Sequence, residues 1–386
     1  MSKQYISTNC VSGAHNSDIF DVAVVNKYTI TVGSDGYARF WDNKLDEIHN
    51  PKDHCVSHQI DPTGIHHINT YENTLNLNGD HVKVVLVGFG CFSGYTKISF
   101  FVGDDVSGLK EIKVPKELQK SSWTPIFYKD PESKQDYLVV TQMDGGIVLY
   151  KLDITGSKDE IFIELTKQTE LKTIEGSFPI SVDVSQVVDG NIAVGYTNGD
   201  VVLYTLETLK VINSFHSTDL QTSGNSKTSN AVPRVVTFSP GGSVLAVARD
   251  NQNSGSITLY DVKYGENVGT LTKPSHSTSA TVGGFAHDGW IMGLSFDDEG
   301  ELLGSCGFDK CVRIWNLDDK ERVATLNLSA SDFEDTDQTE MDSSIASGIS
   351  FISKGTRGVS GGDNNHGICV VSFDRGVRWY RQAGGI

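Results

Sequence analysis

Long apolar runs are missing from this sequence. No stretch approaches the roughly 18 consecutive apolar residues that a membrane-crossing helix needs, so no membrane span is expected. Positive charge is scarce: 32 Lys and Arg stand against 49 Asp and Glu, for a net charge of −17. A surface of that sign repels phosphate backbones and anionic lipid, which argues against direct nucleic-acid or membrane binding. Cysteine is sparse and scattered, at Cys10, Cys55, Cys91, Cys306, Cys311 and Cys369, with no C-x-x-C pair. That pattern fits free thiols in a reducing compartment better than a disulfide scaffold or a zinc site. The opening residues, MSKQYISTNCVSGAH, hold no apolar stretch like that of a secretory signal, so an intracellular setting is expected. Proline is rare, with 9 residues against 39 Gly, which suits many tight turns between short elements. No convincing amphipathic helix is legible.

Catalytic signatures are also lacking. There is no G-x-S-x-G elbow, no H-E-x-x-H and no P-loop. The string GVSGGDNNHG (358–367) is Gly-rich but lacks the Lys and the strand–helix context of a phosphate loop. His66 and His67 are adjacent, so in a strand they point to opposite faces and cannot chelate one metal together. His15, His216 and His287 precede inner strands, where a structural role accounts for them. The expectation is no catalytic residue, no cofactor and no metal.

What is present is repetition. GSDGYARFWDNK (33–44) and GFDKCVRIWN (307–316) share Gly-x-Asp, a short apolar run with one Arg, and Trp. Looser copies are SGYTKISFFVG (93–103), MDGGIVLYKLD (143–153), TNGDVVLYTLE (197–207), SGSITLYDVKYGENVGTL (254–271) and FDRGVRWYRQ (373–382), which makes seven. Each follows a shorter apolar strand, such as DIFDVAVV (18–25), WTPIFY (123–128) or FPISVDV (178–184). The strands alternate with period two and are bounded by Gly, Asn, Asp and Ser, so they read as antiparallel hairpins. Four short strands per unit, seven times over, predict an all-β, seven-bladed β-propeller occupying residues 1–386 as one domain. The last repeat ends after its third strand. The missing fourth is expected from YISTNCV (5–11), closing the ring. Two connectors are long. TDLQTSGNSKTSNA (218–231) reads as a mobile loop. The acidic segment, about 329–347, holds Asp332, Glu334, Asp335, Asp337, Glu340 and Asp342. It reads as a solvated loop, with a basic partner segment as the sharper alternative.

The first and sixth copies resemble WD repeats. His15, Thr31, Asp35 and Trp41, and then His287, Ser305, Asp309 and Trp315, match that family's structural tetrad. In the family the turn Asp bonds the His, and the His reaches the strand hydroxyl and the Trp indole. The other copies depart from it: Tyr150, Tyr204, Tyr260 and Tyr380 stand where Trp would be, and Asn198 replaces the turn Asp. The resemblance implies a binding face at the narrow end of the channel, built from residues just before and early in each innermost strand. Those positions include Phe20, His66, Trp123, Arg234, Trp290 and Met292, with Arg375 joining from the final turn. Such a set forms an apolar patch rimmed by Arg, as protein interfaces do. The competing reading packs Trp123 and Trp290 between blades as core.

Further strings, among them GAHNSDIFDV, NPKD, GIHHI, FAHDGWIMGLSF and DRGVRWYRQAGG, together resemble the WD-repeat subunits of the fungal Ski (superkiller) complex. Residues 104–175 match that pattern weakly. The resemblance implies a non-catalytic scaffold partnered by a TPR-repeat protein and a DExH-box RNA helicase, in exosome-dependent 3′-to-5′ decay of cytoplasmic mRNA. In some fungi it also implies meiotic recombination through a topoisomerase-like DNA-cleaving protein, which adds the nucleus. A WD-repeat adaptor of a ubiquitin-ligase or chromatin complex is the alternative; an enzyme is the reading least favoured.

Overall fold

The computed structural model describes residues 3–45, 49–171, 177–216, 231–251, 253–273, 284–333, 342–358 and 365–383. Residues 218–230, 334–341 and 359–364, parts of the two long connectors and of the Gly-rich string, lie outside the described residues. Among the described residues, strands form seven four-stranded antiparallel sheets and no α-helix. No described helix is long and apolar enough to cross a membrane. The architecture is an all-β, seven-bladed propeller.

Sheet 1 is β2 (Ile19–Val24), β3 (Tyr28–Gly33), β4 (Tyr37–Asp42) and β5 (Val56–Gln59). Sheet 2 is β6 (Ile65–Leu77), β7 (Asp80–Cys91), β8 (Thr96–Val102) and β9 (Lys110–Glu111). Sheet 3 is β10 (Ser122–Tyr128), β11 (Asp136–Gln142), β12 (Ile147–Gly156) and β13 (Ile161–Leu171). Sheet 4 is β14 (Pro179–Val184), β15 (Asn191–Tyr196), β16 (Val201–Thr205) and β17 (Val211–Phe215). Sheet 5 is β18 (Pro233–Phe238), β19 (Val244–Asn251), β20 (Ser254–Asp261) and β21 (Glu266–Leu271). Sheet 6 is β22 (Ile291–Phe296), β23 (Leu302–Gly307), β24 (Cys311–Asn316) and β25 (Glu321–Asn327). Sheet 7 is β26 (Ala346–Ile352), β27 (Gly367–Ser372) and β28 (Val377–Gln382), with β1 (Tyr5–Val11) paired along β28. Every repeated string coincides with the third strand of a sheet. The strands lengthen in sheets 2 and 3, β6 and β7 to 13 and 12 residues and β12 and β13 to 10 and 11.

The second strand of each sheet lies between two neighbouring sheets. β3, β23 and β27 are accordingly buried at every residue, while the outer β13 alternates between half-buried and exposed, as a one-faced strand should. The core is divided into seven clusters, each shared by two adjacent sheets. The cluster between sheets 7 and 1 holds Val11, Ile19, Trp41, Val371, Val377 and Trp379, and its two indoles meet edge to face at 5.9 Å. Innermost strands are also stapled by side chains. The amide of Ile68 donates to Asp21, that of Phe127 to Asn69, that of Phe238 to Asp183 and that of Phe351 to Ser295, at 2.8–3.0 Å.

His216 lies in sequence between the outermost strand of sheet 4 and the innermost strand of sheet 5, as expected, and it pairs with Asp200 at 2.8 Å. One expectation is corrected at the described ends of the acidic segment, which are not simply solvated. Asp332 bonds Arg378 at 2.8 Å and Asp342 bonds Lys310 at 2.9 Å. Arg378 is fully buried, and a buried guanidinium needs carboxylates close by. Asp374 supplies the second, at 2.7 Å.

Candidate functional site

The site is built on the turns between second and third strands. In sheet 1, Asp35 bonds His15 Nδ1 at 2.9 Å, and His15 Nε2 meets the Thr31 hydroxyl at 2.9 Å. The Trp41 indole donates to the same hydroxyl at 2.9 Å. Sheet 6 repeats this with Asp309 on His287 at 2.8 Å, His287 on Ser305 at 2.7 Å, and Trp315 donating to Ser305 at 2.8 Å. The indole therefore binds the hydroxyl and not the imidazole, since that oxygen has the lone pairs to spare. Burial is the largest influence on His15 and His287 and holds both below the usual imidazole range, against the pull of Asp35 and Asp309. Burial also opposes the Asp35 carboxylate, but His15 and the Asn16 and Tyr37 amides outweigh it and bring Asp35 down to about 2.

These networks pin each turn, and the residue before the turn Asp projects onto one end of the propeller. Beside it stands the second residue of the innermost strand. Phe20, His66, Trp123, Arg234 and Met292 all occupy that one register position, each at an interruption of the pairing to the next strand. A bulge there turns the side chain out of the strand's alternation, and all five are half-exposed.

The rings form a continuous path. Phe178 meets Trp123 at 4.9 Å, and Trp123 stacks on His66 at 3.8 Å. His66 meets Phe92 at 5.2 Å and Phe92 meets Phe20 at 5.4 Å. Phe20 meets Phe373 at 5.8 Å, and Phe373 meets Phe308 at 6.1 Å. Phe308 meets Trp290 at 5.4 Å, and the Arg234 guanidinium lies 4.8 Å over the Trp290 ring. The path runs through sheets 4, 3, 2, 1, 7, 6 and 5 in turn. Phe92, Trp290 and Phe308 are 44%, 38% and 37% exposed, far above what a core ring shows. Trp290 thus packs onto the rim of the face, while the half-exposed Trp123 bridges sheets 2 and 4 through His66 and Phe178.

Polar groups punctuate this path. Arg234 Nε donates to Asp250 Oδ2 at 2.8 Å. Burial pushes the Asp250 carboxyl up, with Arg234 opposing, and its Oδ1 is buried without a donor. Burial, aided by the neighbouring His67, pushes His66 down to about 3. His66 is therefore a neutral, flat surface. His67 turns away and pairs with Asp21 at 2.9 Å.

Met292 shares the register of the others without entering the ring path, and Arg375 stays outside it. Arg375 is exposed, at φ 63 in its turn, and its carbonyl accepts from Ala14 at 2.8 Å; the residue of that turn in the path is Phe373. Sequence reasoning missed Phe92, Phe178, Phe308 and Phe373. The signal was available: Phe308 and Phe373 immediately precede a turn Asp, Phe92 holds the same place, and Phe178 precedes β14 as Trp290 precedes β22.

Comparison with known proteins follows the same lines. Residues 279–316 match the family described as "WD domain, G-beta repeat". The chain is 34% identical over 408 aligned residues to "Antiviral protein SKI8" of Saccharomyces cerevisiae, covering all of both chains. A shorter match, 39% identical over 93 residues, is to "WD repeat-containing protein 1" of Xenopus tropicalis, covering 24% of this chain and 13% of that one.

Proposed function

The chain belongs to the WD-repeat family of the antiviral protein SKI8, and on that premise we propose that it is a non-catalytic scaffold holding short segments of partner proteins on the aromatic face. The observation that carries this reading is the path of rings across six sheets, continued into the seventh by Arg234 over Trp290. Exposed aromatic clusters of this kind suit protein contact, with Trp and Arg as the residue types that dominate binding energy. A rigid ring brings its contact residues already ordered, so little conformational entropy is lost on the propeller side. Trp290, Trp123 and Phe20 would supply buried area, Met292 and His66 flat filling, and Arg234 orientation; Arg375 would contribute charge at the rim.

The assembly proposed is a cytoplasmic Ski complex, with a TPR-repeat protein and a DExH-box helicase as partners in exosome-dependent mRNA decay. The acidic surface agrees with RNA being gripped by the helicase. The same face would serve a meiotic, topoisomerase-like partner in the nucleus. The test is a tagged pulldown from cells, wild type beside Trp290→Ala, read by mass spectrometry. Recovery of helicase and TPR protein by wild type alone supports both complex and face. Recovery by both baits moves the interface elsewhere. Recovery by neither, with folded bait, sinks the complex.

A further inference from the structure

Sheets 6 and 7 meet, away from the aromatic face, at a cluster that neither the fold nor the scaffold role requires. Donor atoms of Asp297, Glu299 and His366 lie within 4.8 Å of one another. Asp297 begins the turn from β22 to β23, and its Oδ1 accepts from the Leu302 amide at 2.9 Å. The corresponding turns of sheets 4 and 5 meet that need with a neutral hydroxyl. Ser185 accepts from Asn191 at 2.8 Å, and Ser239 from Val244 at 3.1 Å. A carboxylate only 2% exposed is a costly substitute for Ser unless something positive faces its second oxygen.

His366 is equally enclosed, at 6% exposure. Its Nε2 contacts Glu299 at 2.7 Å while Nδ1 is buried without a partner. The hydroxyl of Tyr5 is likewise buried without a partner, and its side chain packs in the core cluster shared by sheets 6 and 7. Lys354 holds the other Glu299 oxygen at 2.7 Å and so orients that carboxylate. Three convergent ligands, one imidazole and two carboxylates, with the exposed Glu299 side open to water, form the donor set of a three-ligand zinc site.

We propose that Asp297, Glu299 and His366 bind a divalent transition-metal ion of the zinc class, clasping sheet 6 to sheet 7. His366 is remote in sequence from the two acids and comes from another sheet, so no spacing in the sequence signals the site.

The test titrates EDTA-treated full-length protein with Co²⁺, followed by visible absorption, and with Zn²⁺, followed by calorimetry and melting. Expected is one saturable equivalent and a rise in Tm with Zn²⁺. His366→Gln should weaken binding by about 100-fold or more, since even outer-shell partners carry about 10–100-fold. Asp297→Ser keeps the turn bond that Ser239 makes in sheet 5, so it removes a ligand without removing the turn. It should melt like metal-free wild type and show no Zn²⁺ shift. Absence of saturable binding to wild type, or binding by both variants as tight as by wild type, overturns the proposal.

Discussion

The imidazole of His66 lies flat on the indole of Trp123, ring centres 3.8 Å apart and planes 18° from parallel. Gly90 makes room for the pair: a Cβ there would stand 2.6 Å from the Trp123 carbonyl oxygen and 2.8 Å from His66 Cε1. The stack joins sheets 2 and 3, so Trp123 serves the fold as well as the face. Trp290 meets Phe308 edge to face beneath the Arg234 guanidinium and is more exposed. Trp123→Ala should therefore cost about 2–3 kcal/mol of stability, below the ~3–5 of a fully buried Trp. Trp290→Ala should leave the urea midpoint near wild type while weakening partner binding by about 2–4 kcal/mol. Equal losses of stability would show that the two indoles are not differently placed.

Arg234 holds Asp250 and covers Trp290 at once. Removing Arg234 leaves a half-buried carboxylate with neither oxygen satisfied by a cation. Arg234→Ala is expected to destabilise by about 1–3 kcal/mol, and Arg234→Ala/Asp250→Ala by less than the sum of the single changes. Arg234→Lys should not restore binding, because an ammonium cannot both fork onto Asp250 and lie flat on the indole. Additive single changes in denaturant unfolding would refute the coupling.

Acid should weaken the tetrads in a defined order. His15 and His287 titrate lower folded than unfolded, so their contribution is present above the unfolded value of about 6.5 and is lost as pH falls below it. Asp35, held at about 2, contributes above about 4 and fades only as pH falls through about 2. Asp183 acts oppositely: chiefly by burial it is pushed up to about 6, so its contribution is full below about 4 and is lost as pH rises through 6. Asp183→Asn removes that counterweight. Its urea midpoint should fall more steeply than wild type from about pH 7.5 to about pH 5. Parallel curves would contradict this assignment.

Removing residues 1–12 strips β1 from β28 and takes Val11 from the cluster shared by sheets 7 and 1. It also bares a long strand edge, a site for pairing with other chains. A lower Tm and concentration-dependent aggregation are expected in scanning calorimetry and light scattering. An unchanged Tm would show that the ring does not depend on its N-terminal strand.

Much of the fold was legible because its rules are local. Alternation with period two, a turn Asp or Asn and an aromatic six residues later mark most third strands closely enough to find GFDKCVRIWN and its weaker relatives. The tetrads were legible for the same reason: His15, Thr31, Asp35 and Trp41 lie in one stretch of chain and meet within one sheet. The positions of Phe20, His66, Trp123, Arg234 and Met292 came from the resemblance to WD repeats, and the structure sets all five at one register position. His216 and its partner Asp200 both belong to the fourth repeat, where Asn198 stands in place of the turn Asp.

The sequence by itself determined strand, turn and tetrad, since hydrogen-bond pattern and side-chain alternation act between residues close along the chain. Only the tertiary structure decided which side chains meet across sheets. Phe20 touches Phe373 and His366 reaches Glu299 because radial packing brings the edges of separate sheets within contact distance. That placement depends on the twist and spacing of whole sheets, and no local sequence period encodes it.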